Sequence, residues 1–219
     1  MRRSHDRELM DAADASNEEL AQSYRELQKT HRWLGNTAEV LRLLSQDQRP
    51  IGRVLDIGCG QGGLLLEIRK HLGAEVIGFD LRPAPPLSPV PIVSGNAVND
   101  PLPEADVALC VMTAHHLSED EVAGLIQNVS HSCDRFLLMD LVRHPAPLIL
   151  FRAFVAPMLG RINALDGATS IRRAFTESEM RGIVARALEA GGRPVKSVRH
   201  TVSPLWIRQV VDIVWEPAG

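Results

Sequence analysis

Cysteine is scarce in this 219-residue chain, with Cys59, Cys110 and Cys133 the only three. Cys59 stands among glycines and Cys110 in an apolar run, and no Cys-x-x-Cys or Cys/His cluster occurs. That usage argues against a disulfide framework or a zinc motif, so no metal is expected and a reducing, cytoplasmic setting is the simplest. Basic residues are not in excess: Lys and Arg number 24, Asp and Glu 27, and the formal net charge is −3. A duplex-binding surface carries a surplus of positive charge, so nucleic acid is not an expected partner. Long apolar runs are also missing, and no membrane span is expected. The first residues hold no apolar core, so they do not read as a secretory leader.

What remains is an ordinary globular composition, 45% hydrophobic and 23% charged. The length suits one α/β domain with a helical extension. Residues 1–15 are charged and read as frayed. Ser16 and Glu19 have the spacing of a capping box, and Leu20, Tyr24, Leu27 and His31 follow at helical intervals. Gly35-Asn36 breaks this helix from a second, Thr37 to Leu44. The pair, within residues 1–48, either packs on the main domain or caps a substrate pocket.

From Arg53 the pattern changes to short apolar runs alternating with crossovers, the mark of a buried parallel sheet. Val54–Ile57, Ala74–Phe79, Pro91–Ser94, Ala105–Met112 and Arg135–Val142 read as five strands. Gly63–Leu72 reads as a helix closed by Gly73, and the prolines between 83 and 91 exclude a helix from the second crossover. Capping boxes at Ser118/Glu121 and Thr176/Glu179 open two more helices, the second running to Ala190. Residues 144–175 interrupt the alternation with an apolar helical stretch and an Asp166-Gly167 turn. Val195–Val202 and Trp206–Trp215 read as a closing strand pair. The second unit thus covers 49–219.

The segment after the first strand carries the chemistry. Gly58, Gly60 and Gly62 let the chain bring its backbone against a ligand, beside the unpaired N–H groups of the next helix. Gly58, Gly60 and Gly63 also spell G-x-G-x-x-G, which by itself suits a dinucleotide equally well and keeps a nicotinamide-dependent oxidoreductase as a rival. Asp56 separates the two. A carboxylate there repels a pyrophosphate but suits a cationic ligand such as S-adenosylmethionine (SAM), with its ammonium and sulfonium groups. Asp80, 22 positions after Gly58, ends the second strand where a carboxylate can accept ribose hydroxyls.

Asp56-Ile57-Gly58-Cys59-Gly60-Gln61-Gly62 resembles the first motif of class I SAM-dependent methyltransferases. Phe79-Asp80 resembles their acidic ribose position, with Leu81 following, and Gly95-Asn96-Ala97 their adenine-contacting loop, although Asn96 stands where Asp is common. Ala105 through Met112 to His115-His116-Leu117 resembles their fourth strand and its loop. The resemblance implies a Rossmann-like sheet of seven strands, mostly parallel with an antiparallel last strand. It also implies SAM as donor and S-adenosylhomocysteine as product. The expected cofactor-binding set is Asp56, Gly58, Cys59, Gly60, Gly62, Asp80, Leu81, Asn96, Ala97 and Met112. Thr113–Leu117, Asp140–Pro145 and Asp166–Thr176 further resemble bacterial enzymes of polyketide and phenolic-product pathways.

A phenolic acceptor must lose a proton, and histidine suits that at neutral pH. His115 and His116 follow the fourth strand and His144 the fifth. One of the three is expected as base or acceptor-orienting group, His115 first, against the alternative that it merely satisfies a backbone group. His5, His31, His71, His131 and His200 read as surface or packing residues. The helical stretch 144–175 reads as a lid, with Arg152, Phe154, Met158 and Arg173 as acceptor contacts, or else as core. Arg172 and Arg173 are expected to pair with Asp166. The acceptor is expected to be a small molecule. A SAM-binding protein without catalysis is the other rival, because methyl transfer has no diagnostic triad. Oligomeric state is not legible.

Overall fold

The computed structural model describes residues 1–11, 17–47, 49–85 and 88–217; the side chains of Asp11 and residues 17–21 lie outside that description. Its strands are β1 (Arg53–Ile57), β2 (Glu75–Asp80), β3 (Ile92–Ser94), β4 (Ala105–Val111), β5 (Cys133–Leu141), β6 (Val195–Val202) and β7 (Arg208–Trp215). They form one sheet in the order β3-β2-β1-β4-β5-β7-β6. The first five run parallel. β7 lies antiparallel to both β5 and β6, and an irregularity between Val195 and Ser197 interrupts the outer pairing.

Alternation along the strands sorts the core into two layers, because successive side chains leave opposite faces of a sheet. Val54, Val76, Leu109 and Met139 pack with Val40 and Leu44 of α2 (Asn36–Ser45) and with Leu65 and Ile68 of α3 (Gly63–Leu72). Their neighbours Leu55, Ala108, Phe136 and Leu138 pack with Leu125 of α4 (Glu119–Ser132) and Ile183 of α7 (Glu177–Ala190). Each large apolar side chain so enclosed contributes about 1.5–3 kcal/mol relative to exposure.

The two expected capping boxes form. Ser118 Oγ accepts the Glu121 N–H at 3.3 Å while Glu121 returns a bond to the Ser118 N–H at 2.7 Å. Thr176 and Glu179 repeat this at 3.3 and 2.8 Å. The box expected at Ser16/Glu19 falls outside the described residues, although the helix beyond it, α1 (Asn17–Trp33), is present.

Three expectations are corrected. Asp166-Gly167 is no turn: both residues lie inside α6 (Arg161–Arg173). The ring of Phe151 occupies the space a Cβ at Gly167 would need, so packing overrides a dipeptide that favours turns. Residues 1–11 are not frayed. The Ser4 N–H donates to the Arg172 carbonyl at 3.0 Å, and the Leu9 and Met10 N–H groups donate to the Asp166 carboxylate at 2.7 and 2.9 Å. Arg3 donates to the Arg173 and Leu117 carbonyls, each at 2.6 Å, with its guanidinium 3.8 Å from the Phe175 ring centroid. Finally, β7 starts at Arg208 rather than Trp206. Pro204–Trp206 form a tight turn in which Leu205 and Trp206 adopt φ of 61° and 53°.

Between β5 and α6 the chain is helical in pieces: α5 (Pro145–Leu150), a π-helical turn (Phe151–Val155) and a 3-10 turn (Ala156–Met158). α1 anchors this segment. Glu26 accepts the Gly160 N–H at 3.0 and 3.1 Å and the Asn163 amide at 2.5 Å, placing a carboxylate at the positive end of α6. No helix among the described residues is long and apolar enough to cross a membrane.

Candidate active site

The carboxyl ends of β1, β2 and β4 converge on the glycine loop. Gly58, Gly60 and Gly62 have φ of 74°, 54° and 74°, a region that side chains disfavour. A side chain at Gly58 would collide with Thr113, and one at Gly62 with Val90. Gly60 differs: the nearest atom to a Cβ there is Tyr24 Cε1 at 4.0 Å, so its outer face is open beneath α1. Cys59 packs where a side chain at Gly78 would stand, which keys the loop to β2.

Two carboxyl groups flank this loop. Asp80 accepts the Gly60 N–H at 2.8 Å and the Arg82 N–H at 3.0 Å, while the Arg82 guanidinium meets the Tyr24 hydroxyl. Asp56 is paired in register with Gly78 and Leu109, is buried, and has no hydrogen bond to its carboxyl among the described residues. Burial, and then the charge of Asp80, pushes its carboxyl up to about 8. Leu81 is exposed beyond β2. Asn96 Oδ1 accepts the Val98 N–H at 3.0 Å, so the oxygen assigned to an adenine contact already holds one donor. The Ala97 carbonyl accepts from Asn128 at 2.8 Å. Met112 follows β4 with φ 54° and donates its N–H to the Met139 carbonyl at 2.8 Å.

Past Met112, a 3-10 turn (Ala114–His116) brings the histidines under the N-terminal segment. Asp140 holds His115 twice: Oδ2 accepts its backbone N–H and Oδ1 its Nδ1–H, both at 2.7 Å. The Nε2 edge faces Glu8 Oε1 at 3.6 Å, and His116 Nε2 faces Glu8 Oε2 at 3.7 Å. The two imidazoles lie 4.3 Å apart between centroids. Ser170 donates to Glu8 Oε1 at 2.7 Å. Burial works against the His115 imidazolium, but Asp140 and then Glu8 outweigh it and raise its pKa to about 9. Burial likewise opposes the Glu8 charge, yet His115, His116 and Ser170 hold its carboxyl below the usual range.

The other predicted residues are placed differently. His144 caps α5, accepting the Ala146 N–H at 3.2 Å, and stacks on Trp206 at 4.3 Å. Arg152, Phe154 and Met158 are exposed. Met158 lines a groove of about 420 Å³ between α1 and residues 155–159, together with Arg25 and Lys29 of α1. Arg173 donates to the carbonyls of Asp6 and His116 at 3.2 and 3.3 Å. Arg172 donates to the Ala168 carbonyl at 3.3 Å. The expected pairing of these arginines with Asp166 therefore gives way to backbone contacts.

Three residues were missed: Glu8, His31 and Asp140, the last of which had no role assigned to it although it holds His115. Glu8 stands more than a hundred residues before His115, and no local pattern joins them. His31, read as packing, belongs electrostatically to the site: burial and then the charge of His115 lower its pKa to about 4, with Asp140 opposing. The helical spacing of Tyr24 and His31 was the available signal, since it sets both on the face of α1 turned to the loop.

A family model described as a methyltransferase domain matches residues 23–180, most of the chain. No curated protein matches. Among solved structures, human N-acetylserotonin methyltransferase in complex with SAM aligns at TM-score 0.61 and 17% identity, over 91% of this chain. This chain spans 56% of that enzyme's length. The plantazolicin methyltransferase BamL, in complex with a triazolic desmethylPZN analog and SAH, aligns at TM-score 0.70 and 13% identity, over 90% of this chain and 91% of that one. The pyocyanin biosynthetic protein PhzM aligns at TM-score 0.57 and 18% identity, over 82% of this chain and 54% of its own. The matched residues run from α1 through the glycine loop and the histidine pair into α7, and the chain belongs to the methyltransferase-domain family, with the fold of class I SAM-dependent methyltransferases.

Proposed function

We propose that this chain transfers a methyl group from SAM to a small-molecule acceptor, most simply the hydroxyl oxygen of a phenolic or polyketide-derived compound. The observation that carries this reading is Asp56, a buried carboxyl without a hydrogen bond among the described residues, set under an open glycine loop. Its raised pKa is the state of the group without a cation beside it, and a positive ligand would favour ionisation. The residues present therefore fit a cationic nucleoside: Gly58, Gly60 and Gly62 supply the backbone bed, Asp56 the counter-charge, and Asp80 the hydroxyl acceptor. SAM, when bound there, supplies a methyl already activated by its sulfonium, so the protein's contribution is approach geometry and exclusion of water.

On the acceptor side, Asp140 fixes the orientation of His115, whose Nε2 edge is turned toward Glu8 and the half-buried His116. This cluster follows β4 directly, one turn from Met112 and Thr113. It orients the acceptor hydroxyl. His144, engaged with Ala146 and Trp206, has no part in this reading. The structures named above are of an N-acetylserotonin methyltransferase, of a plantazolicin methyltransferase bound to a desmethylPZN analog and of a pyocyanin biosynthetic protein, and a small-molecule acceptor is in keeping with them.

Calorimetry tests the reading. SAM binding at pH 7 should release a proton from Asp56, so the observed heat will change with the ionisation enthalpy of the buffer, and Asp56→Asn will remove that dependence. Asp80→Ala should weaken binding by more than about 1 kcal/mol. Binding of NAD in place of SAM, or no release of S-adenosylhomocysteine with any phenolic acceptor tried, would refute the assignment.

A further inference from the structure

We propose that Glu8, His115 and His116 form a binding site for a divalent transition-metal ion. Glu8 Oε1 and Oε2 face the two Nε2 atoms at 3.6 and 3.7 Å. Those separations are too long for hydrogen bonds. They are close to the spacing of two ligands on one ion: atoms about 2.1 Å from a tetrahedral metal stand about 3.4 Å from each other. All three ligand atoms lie within 4.8 Å of one another, so small side-chain rotations bring them onto one centre.

The surroundings are those of a built site. A metal-bound histidine needs its other nitrogen held, and Asp140 holds His115 Nδ1 at 2.7 Å. The ligating carboxylate needs its own support, and Ser170 Oγ donates to Glu8 at 2.7 Å. His115 and Glu8 are buried, whereas the His116 side chain is 31% exposed and marks the side from which an ion and a fourth ligand enter. Two imidazoles and one carboxylate suit zinc, cobalt, nickel or ferrous iron and are unlike the all-oxygen sets of magnesium and calcium. The ion would join residues 1–11 to the turn after β4. For the transfer reaction, and resting on the function proposed above, a hydroxyl taken as the fourth ligand would lose its proton more readily.

The test uses tag-free, full-length protein stripped with a chelator and titrated with Co2+ in the absence of SAM. One equivalent should produce visible ligand-field absorption that Zn2+ abolishes by displacement. Glu8→Gln, nearly isosteric, and His116→Ala should each weaken Co2+ binding at least about tenfold. Both should keep the far-ultraviolet dichroism of the parent, and His131→Ala should bind Co2+ as the parent does. Absence of the absorption, or equal affinity in the folded Glu8→Gln variant, overturns the proposal and leaves a bare carboxylate–imidazole pair. Because donor binding is measured separately, a chain that takes up SAM but not Co2+ fails this inference alone. One that takes up Co2+ but not SAM fails only the transfer reading.

Discussion

A buried carboxyl at a strand end with no hydrogen bond among the described residues opposes folding when it is charged, and Asp56 is such a group. Its folded pKa lies above the unfolded value, so the folded chain binds the extra proton between about pH 4 and 8 and loses stability as pH rises through that window. Asp56→Asn should therefore raise stability at pH 8 by an amount on the order of a few kcal/mol while weakening SAM binding to a still measurable level. Urea denaturation at pH 5 and pH 8 checks this; equal stability of parent and variant at pH 8 would contradict it. His31 has the opposite sign. Its folded pKa of about 4 lies below the unfolded value, so the unfolded chain takes up the proton first and stability falls as pH drops from about 6.5 to 4. His31→Gln should remove up to about 3 kcal/mol of that acid-side loss, read from the same urea curves. Asp56 and Asp80 were legible because each sits beside a strand end that the sequence marks with glycine or with a break in the apolar run. Glu8 was not, because its partners are brought to it only by the docking of the N-terminal segment on α6.

Helices α4 and α7 begin as their sequences say they should, since a capping box is made of residues within one turn of each other. Thr176→Ala should cost about 1 kcal/mol, measured by chemical denaturation. α6 shows where local reading stops. Asp-Gly favours a turn in isolation, but here the glycine makes room for Phe151 and the aspartate receives the Leu9 and Met10 N–H groups. Gly167→Ala would ordinarily stabilise a helix by about 1 kcal/mol. In this helix the added methyl meets the Phe151 ring, and the variant should be less stable than the parent. A gain in thermal midpoint would show that Phe151 moves aside freely.

At the scale of the molecule, a parallel sheet with a closing strand pair was accessible from the alternation of apolar runs and crossovers, and its antiparallel last strand from the family resemblance, whereas the order of the strands and the wrapping of the N-terminus were not. Residues 1–11 carry a charged, unpatterned sequence, yet they bury Glu8, hold the Arg173 and Leu117 carbonyls through Arg3 and occupy Asp166. Removing residues 1–11 should cost at least about 2 kcal/mol, seen as a fall of roughly 4–8 °C in thermal midpoint. The outer border of the sheet has its own consequence. β6 is the last strand, with Lys196, Arg199 and other exposed side chains along it and a broken register near its start. A strand from a neighbouring molecule would meet fixed positive charge and mismatched amide spacing there, so this flank resists templated growth into fibres even though the layers behind it are apolar.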